Sequence, residues 1–271
     1  MKVTVGIDVG GSNTKIAVLD ESGALAAAAL MSAADLDIEP AIQRLCEKDG
    51  LDIQRIALTG VGAYRVAKKL MGFSPVRVDE LTAIGLGGLT VSGLSEALVV
   101  SMGTGTAFLH AKDGAFRHIL GSGVGGGTLM GLCGLLLGTE RIEEIEALCK
   151  TGDLSKVDLT MGEITQGTLP SLAAELTASN LASIKPDAGS ADIAMGVMNL
   201  VLQAVGTMSV LAARETGVQD IVLTGALSGV GPAAKVFALF TKTYGYTYHI
   251  SQKAVYATAI GAALQLADHS G

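Results

Sequence analysis

The sequence predicts an α/β protein of two lobes that share one topology. Short strand-like and helix-like runs alternate along the chain. A strand, glycine turn, strand, turn unit occurs twice, as GIDVGGSNTKIAVLDESG near the start and as VVSMGTGTAFLHAKDG past residue 98. With 49% apolar residues, a chain of 271 can bury a sizeable core. Glycine supplies 36 of the 271 residues, about 13% against a usual ~7%, with only 5 prolines and no G-X-Y period. Collagen and low-complexity linker are thereby excluded, and the glycine clusters need local reasons.

Taken in order, residues 3–9 read as a strand, 10–13 as a glycine turn, 14–20 as a second strand and, past Ser22-Gly23, 24–31 as a third. That is a hairpin meander rather than a strand–loop–helix unit. A helix over 40–48, a strand over 55–59, a helix over 64–71, a strand over 76–78 and a helix from residue 80 follow. The second half restarts the grammar with strands over 97–102, 106–112 and 115–120. Helices dominate 126–215, before a strand over 220–224, a helix over 232–243, a strand over 246–251 and a final helix over 255–267. No Pro/Ser-rich linker intervenes, so the expected boundary near residue 93, dividing 1–92 from 93–271, is soft.

Charge and cysteine set further bounds. There are 19 basic against 26 acidic residues, a formal net charge of −7, and no basic block, which argues against nucleic acid as a partner. Cys46, Cys133 and Cys149 fit neither a disulfide framework nor a zinc-ligand spacing, and read as thiols of a reduced, cytoplasmic chain. The opening MKVTVGIDVG has no signal-peptide pattern; it is already a strand. Residues 119–138 and 193–213 carry no charge, yet the first is full of glycine and the second sets Asn199, Gln203 and Thr207 four apart as a polar stripe, so no membrane span is expected.

A tight turn rich in glycine and hydroxyl residues exposes consecutive backbone N–H groups that cradle phosphate oxygens. Gly10, Gly11, Ser12 and Asn13 form one such turn and Gly103, Thr104, Gly105 and Thr106 a second, one in each lobe. Lys15 adds a point charge for a phosphate, and Asp8, at the end of the feeding strand, is placed to hold Mg²⁺. There is neither GxxxxGK[ST] nor a strand–GxGxxG–helix, which disfavours a P-loop ATPase and a Rossmann dehydrogenase. Gly121 to Gly127 lead into a helix whose N-terminus favours an anion, although a flexible connector explains them too. A further turn around Gly225 and Ala226 follows a buried strand and suits an adenosine shelf.

The succession GIDVGGSNTK, VDEL, MGTGT, GSGVGGGTLMGLCGLLLG, VLTGALSG and AIGAAL, with residues 152–158 between, resembles the type II (eukaryotic-like) pantothenate kinases over nearly the whole chain. The resemblance implies the acetate/sugar kinase, Hsp70 and actin superfamily: two lobes of duplicated ribonuclease H-like (actin-like ATPase) topology with a nucleotide cleft between them. It implies ATP and Mg²⁺ as cofactors, pantothenate as the small-molecule substrate, and a homodimer. Asp8, Val9, Gly10, Gly11, Ser12, Asn13, Thr14 and Lys15, with Gly103 to Thr106, would take the phosphates; Gly125, Gly126, Gly127, Thr128, Leu129 and Met130, with Gly225 and Ala226, would take the nucleoside. Glu80 would be the catalytic base, although Asp79 and Glu80 equally suit an N-cap and a first-turn acid.

Two positions depart from the family. Ala107 stands where a serine is usual, and His118 stands where the family's substrate-holding arginine aligns. Arginine clamps a carboxylate in a permanent two-pronged charge pair, and neutral histidine does not. Arg117 could substitute only by a one-residue shift, against strand alternation. Tyr256 lies where the family lines its pantothenate pocket with an aromatic, or simply packs in a core. These departures keep open another small alcohol, such as an amino sugar, as acceptor, or a non-catalytic nucleotide-binding sensor. His110, His249 and His269 read as ordinary strand or tail residues, and the Arg141, Glu143, Glu144, Glu146 surface as a solvated helix face.

Overall fold

The computed structural model describes the chain except residues 36, 48, 166–173, 175 and 268–271. The opening meander forms as expected, β1 (Lys2–Val9), β2 (Asn13–Asp20) and β3 (Leu25–Ser32), followed by α1 (Glu39–Glu47), β4 (Asp52–Thr59) and the short β5 (Val76–Arg77). Every second residue of β1 and β2 feeds one core, where Val5, Ile7, Ile16 and Val18 close over Ile38 and Ile42. The sheet order is β3-β2-β1-β4-β5, with β1 antiparallel to β2 and parallel to β4.

After α2 (Glu80–Ser92) the pattern repeats as β6 (Glu96–Met102), β7 (Thr106–Lys112) and β8 (Ala115–Ser122). Then come α3 (Gly126–Leu137), α4 (Ile142–Cys149), β9 (Leu159–Thr160), α5 (Met161–Thr165), β10 (Thr177–Ser179) and α6 (Ser190–Thr216). The chain closes with β11 (Asp220–Thr224), α7 (Gly231–Tyr244), β12 (Thr247–Ile250) and α8 (Ala257–Ala267). The second sheet runs β12-β11-β6-β7-β8, again with one antiparallel and one parallel neighbour to its first strand. Position for position this is the order of the first sheet, so the sequence echo is a duplication of topology.

Two expectations change. The helix over 64–71 is a single 3-10 turn, Ala63–Arg65; Leu70 and Phe73 then exchange backbone hydrogen bonds around Met71 and Gly72, both at positive φ. Ala63, Val66 and Leu70 have helical spacing and are buried, but Met71 N–H is taken by Glu39 Oε1 and Ala63 C=O by Arg77, so side-chain tethers replace helix bonds. Between α4 and α6 the miniature sheet β9–β10 interrupts the expected helices; its strands are too short to leave a pattern. His269 lies outside the described residues.

The helix α6 is long and apolar enough to cross a membrane, but 67% of its most apolar window is buried inside the protein, as a core helix would be. Of its polar stripe, Asn199 is buried and donates to Asp158 Oδ2 at 2.7 Å, whereas Thr207 is exposed.

The two sheets are joined by an exchange of helices. α8 packs on β1, β2 and β4, while α2 lies on β6, β7, β8 and β11, and the two helices pack on each other. They meet through glycine: a Cβ on Gly87 would lie 1.9 Å from Ala257 O, and one on Gly261 would lie 2.0 Å from Ala83 O. Only hydrogen at those positions lets the backbones approach so closely.

Candidate active site

A cleft of about 710 Å³ opens between the lobes. Its walls are the turns after β1 and β6, and across its mouth Ser12 Oγ and Thr104 Oγ1 are 3.0 Å apart, joining the hairpin of one lobe to that of the other. Gly10, Gly11, Asn13, Gly103, Gly105 and Thr106 line it with them. The second hairpin is braced from behind, since Gly126 and Gly127 N–H donate to Gly103 and Thr104 C=O at 2.8 Å each. A side chain at Gly125 would strike Thr104 O, 2.7 Å from its Cβ. Gly225 has φ 85° and sits against Met102 O, 2.6 Å from a would-be Cβ, which only glycine tolerates.

At the floor, Asp8 and Lys15 form a buried pair, Oδ2 to Nζ 3.3 Å. Burial raises the Asp8 carboxyl above its usual range, and the Lys15 charge and hydrogen bond only partly offset this. Asp8 accepts that one long hydrogen bond and retains free lone pairs facing the cleft. The described residues hold no cluster of three or more His, Cys, Asp or Glu that could cage a metal. One buried carboxylate with spare acceptors suits Mg²⁺, which keeps several waters and leans on substrate phosphates.

Asp79 is the N-cap of α2, accepting from Thr82 N at 2.8 Å, and Glu80 begins the first turn with its carboxyl in the cleft. The capping reading of Asp79 and the cleft-facing reading of Glu80 are thus both realised. Burial, followed by the negative charge of Asp8, raises the Glu80 pKa, with Lys15 opposing and Asp79 adding to it. A carboxyl so raised is a stronger proton acceptor than a free glutamate.

Ala107, Met130 and Ala226 also line the cleft. Val9, Thr14 and Leu129 turn the other way: Val9 and Leu129 fill lobe cores, and the Thr14 hydroxyl is buried without a partner. Thr128 ties the start of α3, donating to Gly123 O at 2.9 Å. Tyr256 packs with Ala17, Leu19 and Ala259 behind the cleft. Arg117 does not shift into place: both its terminal nitrogens reach Glu215 at 3.2 Å, outside the cleft. His118 stands near the rim, its Nε2 3.7 Å from the Cβ position of Gly121.

Sequence reasoning missed several lining residues. Ser101 occupies in the second lobe the place of Asp8 in the first, two residues before the glycine turn, and the internal repeat was signal enough to find it. Glu143 and Glu146 on α4, with Ile142, close the far end of the cleft, and Glu146 Oε1 accepts from Gly231 N at 3.0 Å at the start of α7. Val255 and Thr258, where α8 begins, complete the floor.

The model of the Fumble family matches residues 94–262. A type II pantothenate kinase of Bacillus cereus is 30% identical over 99% of this chain and 99% of its own length. The chain belongs to the Fumble family, that of the type II pantothenate kinases. Another member, the type II pantothenate kinase of Staphylococcus haemolyticus, is 29% identical over 95% of the chain and 98% of its own. Among solved structures, component A of the Acidaminococcus fermentans (R)-2-hydroxyglutaryl-CoA dehydratase superposes with a TM-score of 0.66 at 19% identity, covering 99% of both chains. A ROK family glucokinase of Streptomyces griseus, in complex with glucose and AMPPNP, gives 0.61 at 13% identity over 99% of this chain and 100% of that one. These distant structures share the fold, and this Fumble family member has their two-lobed α/β architecture.

Proposed function

We propose that the protein transfers the γ-phosphoryl group of ATP to the primary hydroxyl of pantothenate, giving 4′-phosphopantothenate, the first step towards coenzyme A. The placement of Glu80 carries the chemistry: a carboxyl with raised pKa opens on the cleft that also holds Asp8, Lys15 and two glycine hairpins. The acceptor's identity rests on the full-length likeness to type II pantothenate kinases.

In this reading backbone N–H groups of the turns Gly11 to Asn13 and Gly103 to Thr106 receive the phosphates, the Gly10 N–H instead closing the first turn on Asn13 O at 3.0 Å, and Lys15 offsets the phosphate charge. Asp8 would hold Mg²⁺, which offsets charge on the β- and γ-phosphates. Gly126, Met130, Gly225 and Ala226 shape the nucleoside end. Glu80 accepts the hydroxyl proton as the new oxygen–phosphorus bond forms and ADP leaves with the electrons of the broken one. The protein carries net charge −7, so attraction of a polyanion must be local. The three free, buried thiols support a cytoplasmic protein. Leu135 and Leu136 on α3 and Leu211 on α6, all exposed, support a homodimer, to be checked by sedimentation.

Glu80→Gln tests the proposal. It should lower turnover of pantothenate by about 10²–10⁴-fold while leaving the Kd for a non-hydrolysable ATP analogue within about twofold. Parental turnover in that variant would refute the assignment of the base.

A further inference from the structure

The cleft is acidic. Among the described residues that line it, Lys15 is the one cation and Asp8 holds it at 3.3 Å, whereas Asp8, Glu80, Glu143 and Glu146 bring four carboxyl groups. The chain as a whole carries −7. A nucleoside triphosphate, itself a polyanion, approaches such a cleft against the field unless cations stand near its phosphate end.

One stretch supplies them. Residues 60–77 contain none of the 26 acidic residues and four of the 19 basic ones, Arg65, Lys68, Lys69 and Arg77. The fold sets this stretch against the strand that feeds the first glycine hairpin. The Cβ position of Gly60 is 2.6 Å from Asp8 Oδ1, Gly62 N–H donates to Val9 O at 2.8 Å, and Val61 between them lines the cleft. Arg65 Nη2 lies 2.7 Å from the Cβ position of Gly62, and Arg77 Nη2 donates to Ala63 O at 3.2 Å, so two guanidinium groups gather on the turn that adjoins Val61. Val66 and Leu70 are buried and pin the next segment, which leaves Lys68 and Lys69 exposed. None of the four cations is in an ion pair among the described residues. Glu39, which accepts from Met71 N–H at 2.7 Å, offsets part of their charge and leaves the balance positive. At the far end of the cleft stand Glu143 and Glu146. The field therefore runs from cations beside the first hairpin to carboxylates at the opposite end.

Resting on the reading of the cleft as a nucleotide site, we propose that this basic turn is an electrostatic guide for the triphosphate. It draws the nucleotide in with its phosphates towards the hairpins, and Lys68 and Lys69 act on the approach rather than in the bound complex.

The test is stopped-flow association of a fluorescent non-hydrolysable ATP analogue, with Mg²⁺, at ionic strengths of about 0.02 M and about 0.5 M. Lys68→Glu/Lys69→Glu should lower kon about tenfold at the lower salt and less than about twofold at the higher, with koff within about twofold at both. Lys68→Gln/Lys69→Gln should give an intermediate fall. Lys2→Glu/Lys242→Glu carries the same net charge as the first variant but places the change away from the cleft. Lys2 begins the strand that Asp8 nearly ends, and Lys242 lies in the last turn of α7, whose start adjoins the cleft. That variant should keep kon within about twofold of the parent. The Kd for uncharged adenosine should be the same in all four proteins. A kon unchanged at low salt in the first variant, an equal fall in the distant variant, or a loss of affinity carried by koff would each overturn the proposal. A parent protein that binds no analogue would overturn the nucleotide reading and this inference with it, whereas binding at a rate indifferent to the basic turn overturns the inference alone.

Discussion

Gly87→Ala probes the joint between the lobes. The added Cβ would sit 1.9 Å from Ala257 O and 2.5 Å from Ala257 C. Since a comfortable carbon–oxygen contact is roughly 3.3 Å or more, α2 and α8 must part by over about 1 Å. Both sides of the contact are backbone, so no rotamer can absorb the methyl, and the cost belongs at the upper end of the overpacking range, about 3 kcal/mol. For a chain of this size that corresponds to a fall in Tm of roughly 6–12 °C. Activity should suffer separately. α2 carries Glu80 on the second sheet and α8 lies on the first, which carries Asp8, so parting the helices displaces the proposed base from the proposed metal ligand across the cleft. A misplacement of about 1 Å can cost on the order of 10²-fold in rate. Thermal unfolding with and without a non-hydrolysable ATP analogue, together with kcat at saturating substrates, reads both effects. Gly131→Ala is the control: nothing lies within 4 Å of its Cβ position on α3, so it should stabilise by up to about 1 kcal/mol. A Gly87→Ala protein with the parental Tm and kcat would refute the view that the glycine seam sets the lobe geometry.

Three further expectations concern stability and affinity. The raised pKa of Glu80 means that its ionised form is disfavoured in the fold, so its contribution is most favourable below the unfolded value near 4.5 and is lost as pH rises through the folded value. Glu80→Gln should therefore melt higher than the parent at pH 7.5, with the difference gone by about pH 4; calorimetry showing the parent equally stable at pH 7.5 would contradict this. Ser12→Ala removes the 3.0 Å bond between the hairpins, and at about 0.5–1.5 kcal/mol it should weaken ATP-analogue binding roughly two- to tenfold. An unchanged Kd by titration calorimetry would mean that this bond does not preorganise the cleft. Asp158 is fully buried and accepts from Thr177, Asn180, Leu181 and Asn199, none of which lines the cleft. Asp158→Asn turns an NH2 donor towards groups that themselves donate and should cost about 2–4 kcal/mol in urea unfolding with nucleotide affinity intact; loss of affinity without loss of stability would be the wrong outcome.

Much of the site was legible because its signals are local. A strand that carries Asp8 near its end and turns through Gly10-Gly11 into a second strand carries its geometry within ten residues, and the echo at Gly103 to Thr106 places the opposite wall. What escaped depends on contacts distant in sequence. The Ala63, Val66, Leu70 spacing imitates a helix until Glu39 and Arg77 are seen tethering that segment. Glu143 and Glu146 read as solvated surface because nothing nearby in sequence announces that the cleft opens beside them or that the start of α7 donates to Glu146. Alternation along 115–122 leaves Arg117 and His118 as alternatives; the one-residue slip at Ile119, a property of two strands together, puts His118 on the cleft side and Arg117 on Glu215.

The exchange of α2 and α8 is the longest-range of these effects and the most consequential for the chemistry. Asp8 and Glu80 are both encoded in the first third of the chain and would be assigned to one rigid unit by position alone. Their supports differ: Asp8 is in β1 of the first sheet, while Glu80 heads a helix laid on the second. Any motion that changes the angle between the sheets therefore changes the distance between the proposed metal ligand and the proposed base. A hinge motion that opened the cleft would separate them, and one that closed it would bring Glu80 towards the glycine hairpins. On the proposed mechanism, deprotonation of the acceptor would then be tied to closure, when water has the least access to the phosphoryl group.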